Sequence, residues 1–533
     1  MVRLTIDGKE IEVPEGTNII EAARRLGIEV PHYCYHPGLS IAGQCRLCMV
    51  ELGNNPRPQI ACNTQVAEGL VVRTETPKVL ETRQSIMEFH LINHPLDCPV
   101  CDQAGECGLQ IYYMKHGLYE PRMVDEKVHK PKAVPLGPHV ILDAERCILC
   151  SRCVRFCDEV TGTGELGIFD RGDHSEIGLF PGRELANPYS ANVIDLCPVG
   201  ALTDRDFRFA VRVWYLETAR SICPGCSRGC NIDVHYNIRR PHHNQGRRVA
   251  RLKPRFNAEV NRWWICDAGR YGGKFVDDPS RLGAPARGRG EAAIEVGWEE
   301  MIPLIASQLR RYRPDEIGVL ASPKMANEDL FLVKRLADHL GPVHVDFRVP
   351  PRTPGDEDRI LIKADKNPNT RGAELIGFGP RPGGLDARGM LRAARERRIK
   401  CLWVFHHDLL ASAWLEAEVR EALRALECFI YQGSNRNGVS PEAHYVLPSA
   451  VWVERDGTFT NFEGRVQRFW RAVEPLGLAL ADWEILGRVA EALGLGAPPA
   501  RAEDWFKALA AAVPPFAGLS YRELRDTGKV LRA

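Results

Sequence analysis

Residues 147–158 read CILCSRCVRFCD, and residues 197–200 read CPVG. In the first stretch Cys147, Cys150 and Cys153 stand at intervals of three, and Cys157 follows after three intervening residues. Thiolates so close together in sequence are typical ligands of soft metals. The spacing therefore predicts a metal centre in this part of the chain.

The two stretches match a two-cluster ferredoxin that has lost one cluster. Such ferredoxins carry C-x2-C-x2-C-x3-C-P twice, and the fourth cysteine of each run binds the other cluster. Here Asp158 replaces the proline after Cys157, and only Cys197-Pro198 remains of the second run. Its other cysteine positions hold Asn187, Ser190 and Val193. We expect Cys157 to be a packed thiol and one [4Fe-4S] cluster to be bound by Cys147, Cys150, Cys153 and Cys197.

Three more groups of candidate ligands stand in the first 266 residues. A group similar to a plant-type [2Fe-2S] site, with a longer first gap, comprises Cys34, Cys45, Cys48 and Cys62. The run H-x3-C-x2-C-x5-C comprises His94, Cys98, Cys101 and Cys107. The last group, similar to the N-terminal cluster of molybdopterin oxidoreductases, comprises Cys223, Cys226, Cys230 and Cys266. The four groups predict one [2Fe-2S] and three [4Fe-4S] clusters, with no catalytic side chain.

Disulfides and zinc are the alternatives for these cysteines. The chain shows no export signal, and thiols of unexported proteins stay reduced, which argues against disulfides. Zinc accepts four thiolates, or three with another residue, but four cluster-like groups in one chain favour iron. Cys401 and Cys428 fit no group, and we expect them to be small buried residues.

Composition argues against several functions. The 70 basic and 69 acidic residues give a net charge of +1, so no overall field draws the chain onto nucleic acid. The sequence contains no run of about 18 apolar residues, so it predicts no membrane span. The start MVRLTIDGKEIEV indicates strand, turn and strand, so we expect an unexported, cytoplasmic chain.

Local patterns predict the outline of the fold. We expect a hairpin around Gly8-Lys9, a helix capped by Thr17, and a largely helical stretch over residues 78–118. Beyond about residue 290, short apolar strands such as Ile317–Ala321 alternate with helices, one of them capped by Asn327. This alternation predicts an open parallel sheet with helices on both faces.

Specific motifs cover roughly the first 215 residues, namely HYCYHPGLSIAGQCRLCMVE, HPLDCPVCDQAGECGLQ, CILCSRCVRFCDEVTG and CPVGALTDRDFRF. Together they resemble the family of large iron–sulfur subunits of respiratory complex I, the NADH–quinone oxidoreductase. The stretch from CPGCSRGCNIDVH to ICDAGRYG resembles the bacterial form, which has an extra fourth cluster. The remainder, with VERDGTFTNFEGRVQRFW, resembles a short molybdopterin-type domain.

The resemblance implies a multidomain chain, α+β and then α/β. The implied domains are a plant-type [2Fe-2S] ferredoxin-like domain (1–77), a helical His/Cys [4Fe-4S] domain (78–118), a degenerate two-cluster ferredoxin-like domain (119–215), a molybdopterin-oxidoreductase-type [4Fe-4S] domain (216–275) and a shortened molybdopterin-oxidoreductase-like α/β domain without cofactor (276–533). The implied role is electron relay from a flavin-bearing NADH-oxidising partner toward quinone, with other hydrophilic subunits. The chain would lie at the cytoplasmic side of the membrane as part of that complex.

Other protein classes share some of these groups. A molybdenum or tungsten formate dehydrogenase would carry the same N-terminal clusters, but such enzymes usually have a lysine where this chain has Ala268. Glu454, Gly457 and residues 461–467 could be remnants of cofactor binding in an empty domain. A subunit of a soluble NAD-reducing hydrogenase would share the first three groups and usually lack the fourth. A scaffold role for the C-terminal domain is compatible with the main interpretation.

Overall fold

The chain forms two compact units. A computed structural model describes residues 1–120, 122–240 and 242–531. The N-terminal unit comprises Met1–Leu216, and the C-terminal unit begins at Glu217. The first three groups of candidate ligands therefore fall in the N-terminal unit, and the fourth falls in the C-terminal unit.

The N-terminal unit is a mixed α/β structure. Its strands are β1 (Val2–Ile6), β2 (Lys9–Val13), β3 (Met49–Leu52), β4 (Gln59–Ile60), β5 (Val71–Arg73), β6 (Val134–Pro135), β7 (Val140–Leu142), β8 (Leu166–Phe169), β9 (Glu176–Leu179) and β10 (Leu202–Asp204). Its helices are α1 (Ile19–Arg25), α2 (Pro77–Leu91), α3 (Gly108–His116), α4 (Arg152–Glu159) and α5 (Asn192–Leu196). The sheet orders are β2-β1-β5-β3-β4, β10-β7-β6 and β8-β9.

The predicted hairpin is present, and its turn explains its position. β1 and β2 pair antiparallel with Ile6 opposite Lys9. Asp7 and Gly8 both have positive φ, at 47° and 77°, as a two-residue hairpin turn requires. The alternating residues Leu4, Ile6 and Val13 are buried under this sheet, so the short apolar pattern forms the first core.

The stretch 78–118 is less helical than the sequence predicts. α2 begins after Thr76, whose hydroxyl accepts a hydrogen bond from the Val79 amide, and it ends at Leu91. Between α2 and α3 the chain is irregular, apart from one short turn at Cys98–Val100. This irregular segment carries His94, so the second ligand group lies on a loop held between two helices.

The C-terminal unit contains a larger set of elements. Its strands are β11 (Glu217–Ile222), β12 (Asn231–Tyr236), β13 (Val249–Pro254), β14 (Ala286–Arg287), β15 (Ile294–Glu295), β16 (Ile317–Leu320), β17 (His344–Asp346), β18 (Cys401–Phe405), β19 (Cys428–Gly433), β20 (Tyr445–Pro448), β21 (Gly457–Thr460), β22 (Arg465–Phe469) and β23 (Lys529–Val530). Its helices are α6 (Asp267–Tyr271), α7 (Trp298–Arg311), α8 (Asn327–Leu340), α9 (Thr370–Ile376), α10 (Ala387–Arg395), α11 (Glu416–Ala425), α12 (Asp482–Ala492), α13 (Ala502–Ala512) and α14 (Tyr521–Leu524).

The predicted parallel sheet is present, with an antiparallel edge. Its order is β15-β14-β20-β19-β18-β16-β17, in which β14 pairs antiparallel with both β15 and β20, and the other neighbours pair parallel. Alternate residues of β18 enter opposite cores: Trp403 packs with α7, α8 and α12, whereas Leu402 packs with α10 and α11. Helices therefore cover both faces, which accounts for strands that are apolar throughout.

Two predicted helix caps are each wrong by one residue. Asn18, rather than Thr17, caps α1, because its side chain accepts a hydrogen bond from the Glu21 amide. Asn327 is the first helical residue of α8 rather than its cap, and the Asp329 carboxylate accepts from the Ala326 amide. Neighbouring polar residues compete for a cap position, and the turn that precedes each helix decides between them.

Candidate metal centres

The four cysteines of the first group lie together and are buried. They are Cys34, Cys45, Cys48 and Cys62. The Cys34 and Cys45 thiols are hydrogen-bonded to each other, as are those of Cys48 and Cys62. The Tyr33 amide donates to the Cys45 sulfur at 3.4 Å. Such amide-to-sulfur bonds stabilise a thiolate, so this loop fits a cluster whose potential the backbone tunes.

Gly43 shows why the loop before Cys45 needs a glycine. Its φ is +63°, a conformation that a residue with a side chain rarely adopts. A Cβ atom there would also lie 3.2 Å from the Ile60 side chain. The loop can therefore turn tightly over the site only without a side chain at this position.

The second group lines a cavity of about 620 Å³. His94, Cys98, Cys101 and Cys107 all contribute to its wall. The Nδ1 atom of His94 is buried and has no hydrogen-bond partner among the described residues. Burial lowers the pKa of His94 to about 4, so the imidazole is neutral at neutral pH. A buried, neutral and unpartnered imidazole nitrogen beside three thiols fits a metal ligand.

Gly200 brings the second and third groups together. It follows Cys197-Pro198-Val199, yet a Cβ atom on it would collide with the Cys101 sulfur. The Arg212 guanidinium also donates to the Cys101 carbonyl oxygen, at 2.5 Å. The absence of a side chain at Gly200 therefore lets a ligand of one group approach the loop of another.

The third group lines a small cavity that excludes Cys157. Four cysteines contribute to its wall: Cys147, Cys150, Cys153 and Cys197. Burial raises the pKa of both the Cys147 and Cys197 thiols to about 12, so iron binding would release their protons. Cys157 lies on α4 with its thiol hydrogen-bonded to Glu165, and burial raises its pKa to about 12. The structure thus groups the four predicted ligands and gives Cys157 a separate partner.

The fourth group lies where β11 and β12 meet. Cys223 follows β11 and Cys230 precedes β12, and the Cys223 amide donates to the Cys230 carbonyl oxygen at 2.8 Å. Cys266 caps α6, with the Gly269 amide donating to its sulfur at 3.3 Å. Cys226 lies close enough to Cys230 and Cys266 to interact with both electrostatically. The four side chains are therefore near one another.

The cysteines do not surround a single ion. Within the described ranges, no group of three or more His, Cys, Asp or Glu side chains is placed to hold one metal ion. In a [4Fe-4S] cluster each of the four ligands binds a different iron, whereas the four ligands of a [2Fe-2S] cluster bind two irons in pairs. The assignment of each ligand, and of iron rather than zinc, stays a prediction.

Replacing His94 by Cys tests the least ordinary of these ligands. We expect the cluster to be retained and its reduction potential to fall by on the order of 100 mV, because a thiolate adds negative charge. An EPR-monitored redox titration measures the change. His116→Cys, at the end of α3 and outside the cavity wall, is the matched control. An unchanged potential in the His94 variant would show that His94 is not a ligand.

Cys401 and Cys428 are buried, as predicted. They stand opposite each other on β18 and β19, and both are fully inaccessible to solvent. The core of apolar side chains around Trp403 encloses them. They behave as small packing residues.

Arg152 and Arg155 on α4 contact the first and third groups, and the sequence analysis missed both. One Arg155 Nη atom donates to the Cys34 carbonyl oxygen at 2.6 Å and to the Cys150 carbonyl oxygen at 3.3 Å. Arg152 contacts the residue after Cys34. The only signal in the sequence was the position of the two arginines between the closely spaced cysteines of residues 150–157.

The C-terminal unit has a cavity of about 280 Å³ beside the fourth group. Cys223, Gly269 and Trp452 line it, with His406 and Arg455. His406 is hydrogen-bonded to Asp482, and Arg455 is ion-paired with Asp482 and Asp329. The volume lies below the range of about 300–1,000 Å³ for ligand sites. On its wall, the Trp452 indole nitrogen and the Arg455 Nε are buried and have no hydrogen-bond partner among the described residues. The absence of a pterin cofactor stays a prediction.

The candidate remnants of cofactor binding have internal roles. The Glu454 carboxylate accepts from Arg281 at 2.7 and 3.0 Å. A Cβ atom at Gly457 would lie 2.6 Å from the Phe469 ring. The Gln467 amide donates to the Gly229 carbonyl oxygen at 3.0 Å, in the loop between Cys226 and Cys230. This segment supports the fourth group.

The matched families follow the same order along the chain. The family models are the 2Fe-2S iron-sulfur cluster binding domain (1–77), the NADH-ubiquinone oxidoreductase-G iron-sulfur binding region (83–122), the NADH-quinone oxidoreductase subunit 3 ferredoxin-like domain (137–203), the molybdopterin oxidoreductase Fe4S4 domain (216–278) and molybdopterin oxidoreductase (378–492). The fold and these matches define an iron–sulfur protein with [2Fe-2S] and [4Fe-4S] binding domains.

Known proteins with similar sequences are named as NADH-quinone oxidoreductase or NADH dehydrogenase proteins. The G subunit of NADH-quinone oxidoreductase from Rickettsia felis is 38% identical over 344 residues, which are 64% of this chain and 49% of that protein. The protein of the same name from Streptomyces coelicolor is 39% identical over 352 residues, 65% of this chain and 41% of its own length. The mitochondrial "NADH dehydrogenase [ubiquinone] iron-sulfur protein 1" of Solanum tuberosum is 37% identical over 346 residues, 64% of this chain and 45% of its own length. The predicted resemblance to the large iron–sulfur subunit of complex I is confirmed.

The chain spans less than half the length of these curated relatives. A solved structure of an NAD+-reducing [NiFe]-hydrogenase is 30% identical and covers 40% of this chain and 91% of its own, with a TM-score of 0.36. A score so low supports no conclusion about the fold.

Proposed function

We propose that this chain is an electron-transfer subunit of an NADH–quinone oxidoreductase, which relays electrons from a flavin-bearing partner toward quinone. The observation that carries the proposal is one shared core in the N-terminal unit. Cys34 and Cys45 of the first group, Cys107 of the second and Cys150 of the third are buried in it together with Tyr33. Clusters bound to these residues would lie close enough in one packed structure for electrons to pass between them.

The proposed cofactors are one [2Fe-2S] cluster and three [4Fe-4S] clusters. The first group would bind the [2Fe-2S] cluster, and the other three groups, including His94 and Cys197, would bind one [4Fe-4S] cluster each. When bound, the clusters supply one-electron chemistry. The chain itself fixes their positions and sets their potentials through ligand identity, burial and hydrogen bonds to sulfur.

Exposed apolar side chains support a role as one subunit among several. Around the second group, Leu96, Val100, Met114 and Tyr119 are 81%, 62%, 71% and 83% exposed. Clustered exposed apolar residues mark protein–protein contact sites. We propose that other hydrophilic subunits cover this surface, and that the complex holds the chain at the cytoplasmic side of the membrane. Among the helices that the structure describes, none combines the length and apolar character needed to cross a membrane.

The proposed domain division follows the sequence motifs. The boundaries are those given above, with divisions after residues 77, 118, 215 and 275. The fifth domain is proposed to hold no molybdopterin, because the cavity beside Cys223 has a volume of only about 280 Å³ and Arg455 on its wall is paired with Asp329 and Asp482.

A molybdenum or tungsten enzyme is the second candidate function. The match of residues 378–492 to molybdopterin oxidoreductase favours it. The small size of the cavity and the pairing of Arg455 on its wall with Asp482 oppose it. The two functions differ in their metal content, which can be measured directly.

The test is metal analysis of the full chain purified without oxygen. We expect about fourteen irons per chain, from one two-iron and three four-iron clusters, with no molybdenum, tungsten or zinc. One molybdenum or tungsten per chain would support a pterin enzyme. Zinc in place of iron would contradict electron transfer, whichever residues bind it.

A further inference from the structure

Arg152 lies between the first and third groups of candidate ligands. It follows Cys150 by two residues and precedes Cys153 by one, at the start of α4. One Nη atom donates to the Leu196 carbonyl oxygen at 3.2 Å, and the other donates to the Tyr35 carbonyl oxygen. Leu196 immediately precedes Cys197, and Tyr35 immediately follows Cys34. The guanidinium thus connects the backbone beside a ligand of each group.

No carboxylate balances the charge of Arg152. Within residues 1–120, 122–240 and 242–531, it forms no ion pair, and its buried Nε has no hydrogen-bond partner. Its side chain lines the small cavity of the third group. The acidic groups that act most strongly on its charge are thiols, those of Cys150, Cys197, Cys34 and Cys45. A buried cation is costly unless an anion is near, so the site requires negative charge there.

The arginine beside the second group is different. Arg146 pairs with Asp97 at 2.5 Å and with Asp143 at 3.4 Å. Its charge is therefore already balanced by carboxylates. Arg152 has no such partners, although it lies in the same unit and is also close to candidate ligands. Arg146 therefore stabilises the fold through ion pairs, whereas the charge of Arg152 remains available to stabilise negative charge on the metal centres.

We propose that Arg152 is a positioning residue whose charge offsets the negative charge of the first and third clusters together and raises both reduction potentials. The inference rests on the proposed function, since it requires clusters at both groups. A thiolate-bound cluster becomes more negative when it accepts an electron, and a nearby fixed cation stabilises that reduced state. Because one residue shifts both potentials in the same direction, the difference between them, which drives electron transfer from one cluster to the other, changes little.

The test compares three variants of the full chain, purified without oxygen. Arg152→Gln removes the charge, Arg152→Lys keeps it, and Arg171→Gln removes an exposed arginine of the same domain as the matched control. Iron content and EPR-monitored redox titrations are measured for each. For Arg152→Gln we expect the ratio of reduced to oxidised cluster at a fixed potential to fall about tenfold at both groups, about 59 mV for one electron. Arg152→Lys should restore most of both potentials, and Arg171→Gln should change neither.

Distinct results overturn the inference and the proposed function. If the unaltered chain shows no cluster signals, the proposed function fails. If clusters are present and Arg152→Gln leaves both potentials unchanged, or moves only one of them, the inference fails alone. If Arg152→Gln loses a cluster, Arg152→Lys decides: retained clusters with near-normal potentials support a role of the charge. Loss of the cluster in the lysine variant also would show that the contacts with Tyr35 and Leu196, rather than the charge, are what matters.

Discussion

Cys197→Ala is expected to remove one whole cluster, about four irons per chain. Cys197 lines the small cavity together with Cys147, Cys150 and Cys153, so its loss leaves one iron without a thiolate. Iron analysis and EPR spectra of protein purified without oxygen measure the loss. The signals of the other clusters should remain, because their ligands come from other loops.

Cys157→Ala is the matched control for that experiment. Cys157 lies four residues after Cys153, yet its thiol is hydrogen-bonded to Glu165 and lies outside the cavity wall. We expect this variant to keep its full iron content and all its EPR signals. Loss of a cluster in Cys157→Ala, with retention in Cys197→Ala, would reverse the proposed pairing of the ferredoxin-like halves.

Glu454→Ala is expected to destabilise the C-terminal unit by about 3–5 kcal/mol, because it leaves the buried Arg281 without its carboxylate. Glu454 and Arg281 are both fully buried and are joined by two hydrogen bonds. Arg248 pairs with the same carboxylate at 2.8 Å. Removing one partner of a buried pair costs far more than the pair contributes net.

The stability change is measured by the denaturant midpoint of the transition that exposes Trp452, beside Glu454. A chain of two units need not unfold in one step, so the transitions are followed separately. The control is Glu421→Ala, which breaks an exposed pair with Arg395 and should cost no more than about 1 kcal/mol. Equal midpoints for the two variants would show that the Glu454 pair contributes no more than a surface contact.

The candidate ligands could be predicted from sequence because most of them stand close together in it. Cys147, Cys150 and Cys153 share one loop and one turn of helix, so their spacing already fixes much of their geometry. Cys197 is distant, but the ferredoxin repeat pointed to it. The separation of Cys157 from the cavity agrees with the same repeat.

The contacts that join the groups could not be predicted in the same way. Arg152 and Tyr35 lie 117 residues apart, and no local pattern relates them. The approach of Gly200 to Cys101 likewise depends on how two loops pack. Such contacts follow from tertiary packing, whereas periodicity and motif spacing report only on neighbours along the chain.

The errors at the helix starts have a similar origin. Thr17 and Asn18 are both suitable caps. Asn18 caps the helix, because the Thr17 hydroxyl donates instead to the Pro14 carbonyl oxygen. The predicted helical stretch over residues 78–118 is also too long, because the loop that carries His94 interrupts it after α2. In both places a local preference gave way to a turn set by residues outside the pattern.

The shared core of the N-terminal unit has a consequence for modularity. The family model of the 2Fe-2S iron-sulfur cluster binding domain matches residues 1–77 as one block. Tyr33 and Leu47 of that block, however, are covered by Met87 and Leu109 of the following segment. An excised block would present this apolar face to water, so we expect residues 1–77 to be less stable alone than within the N-terminal unit.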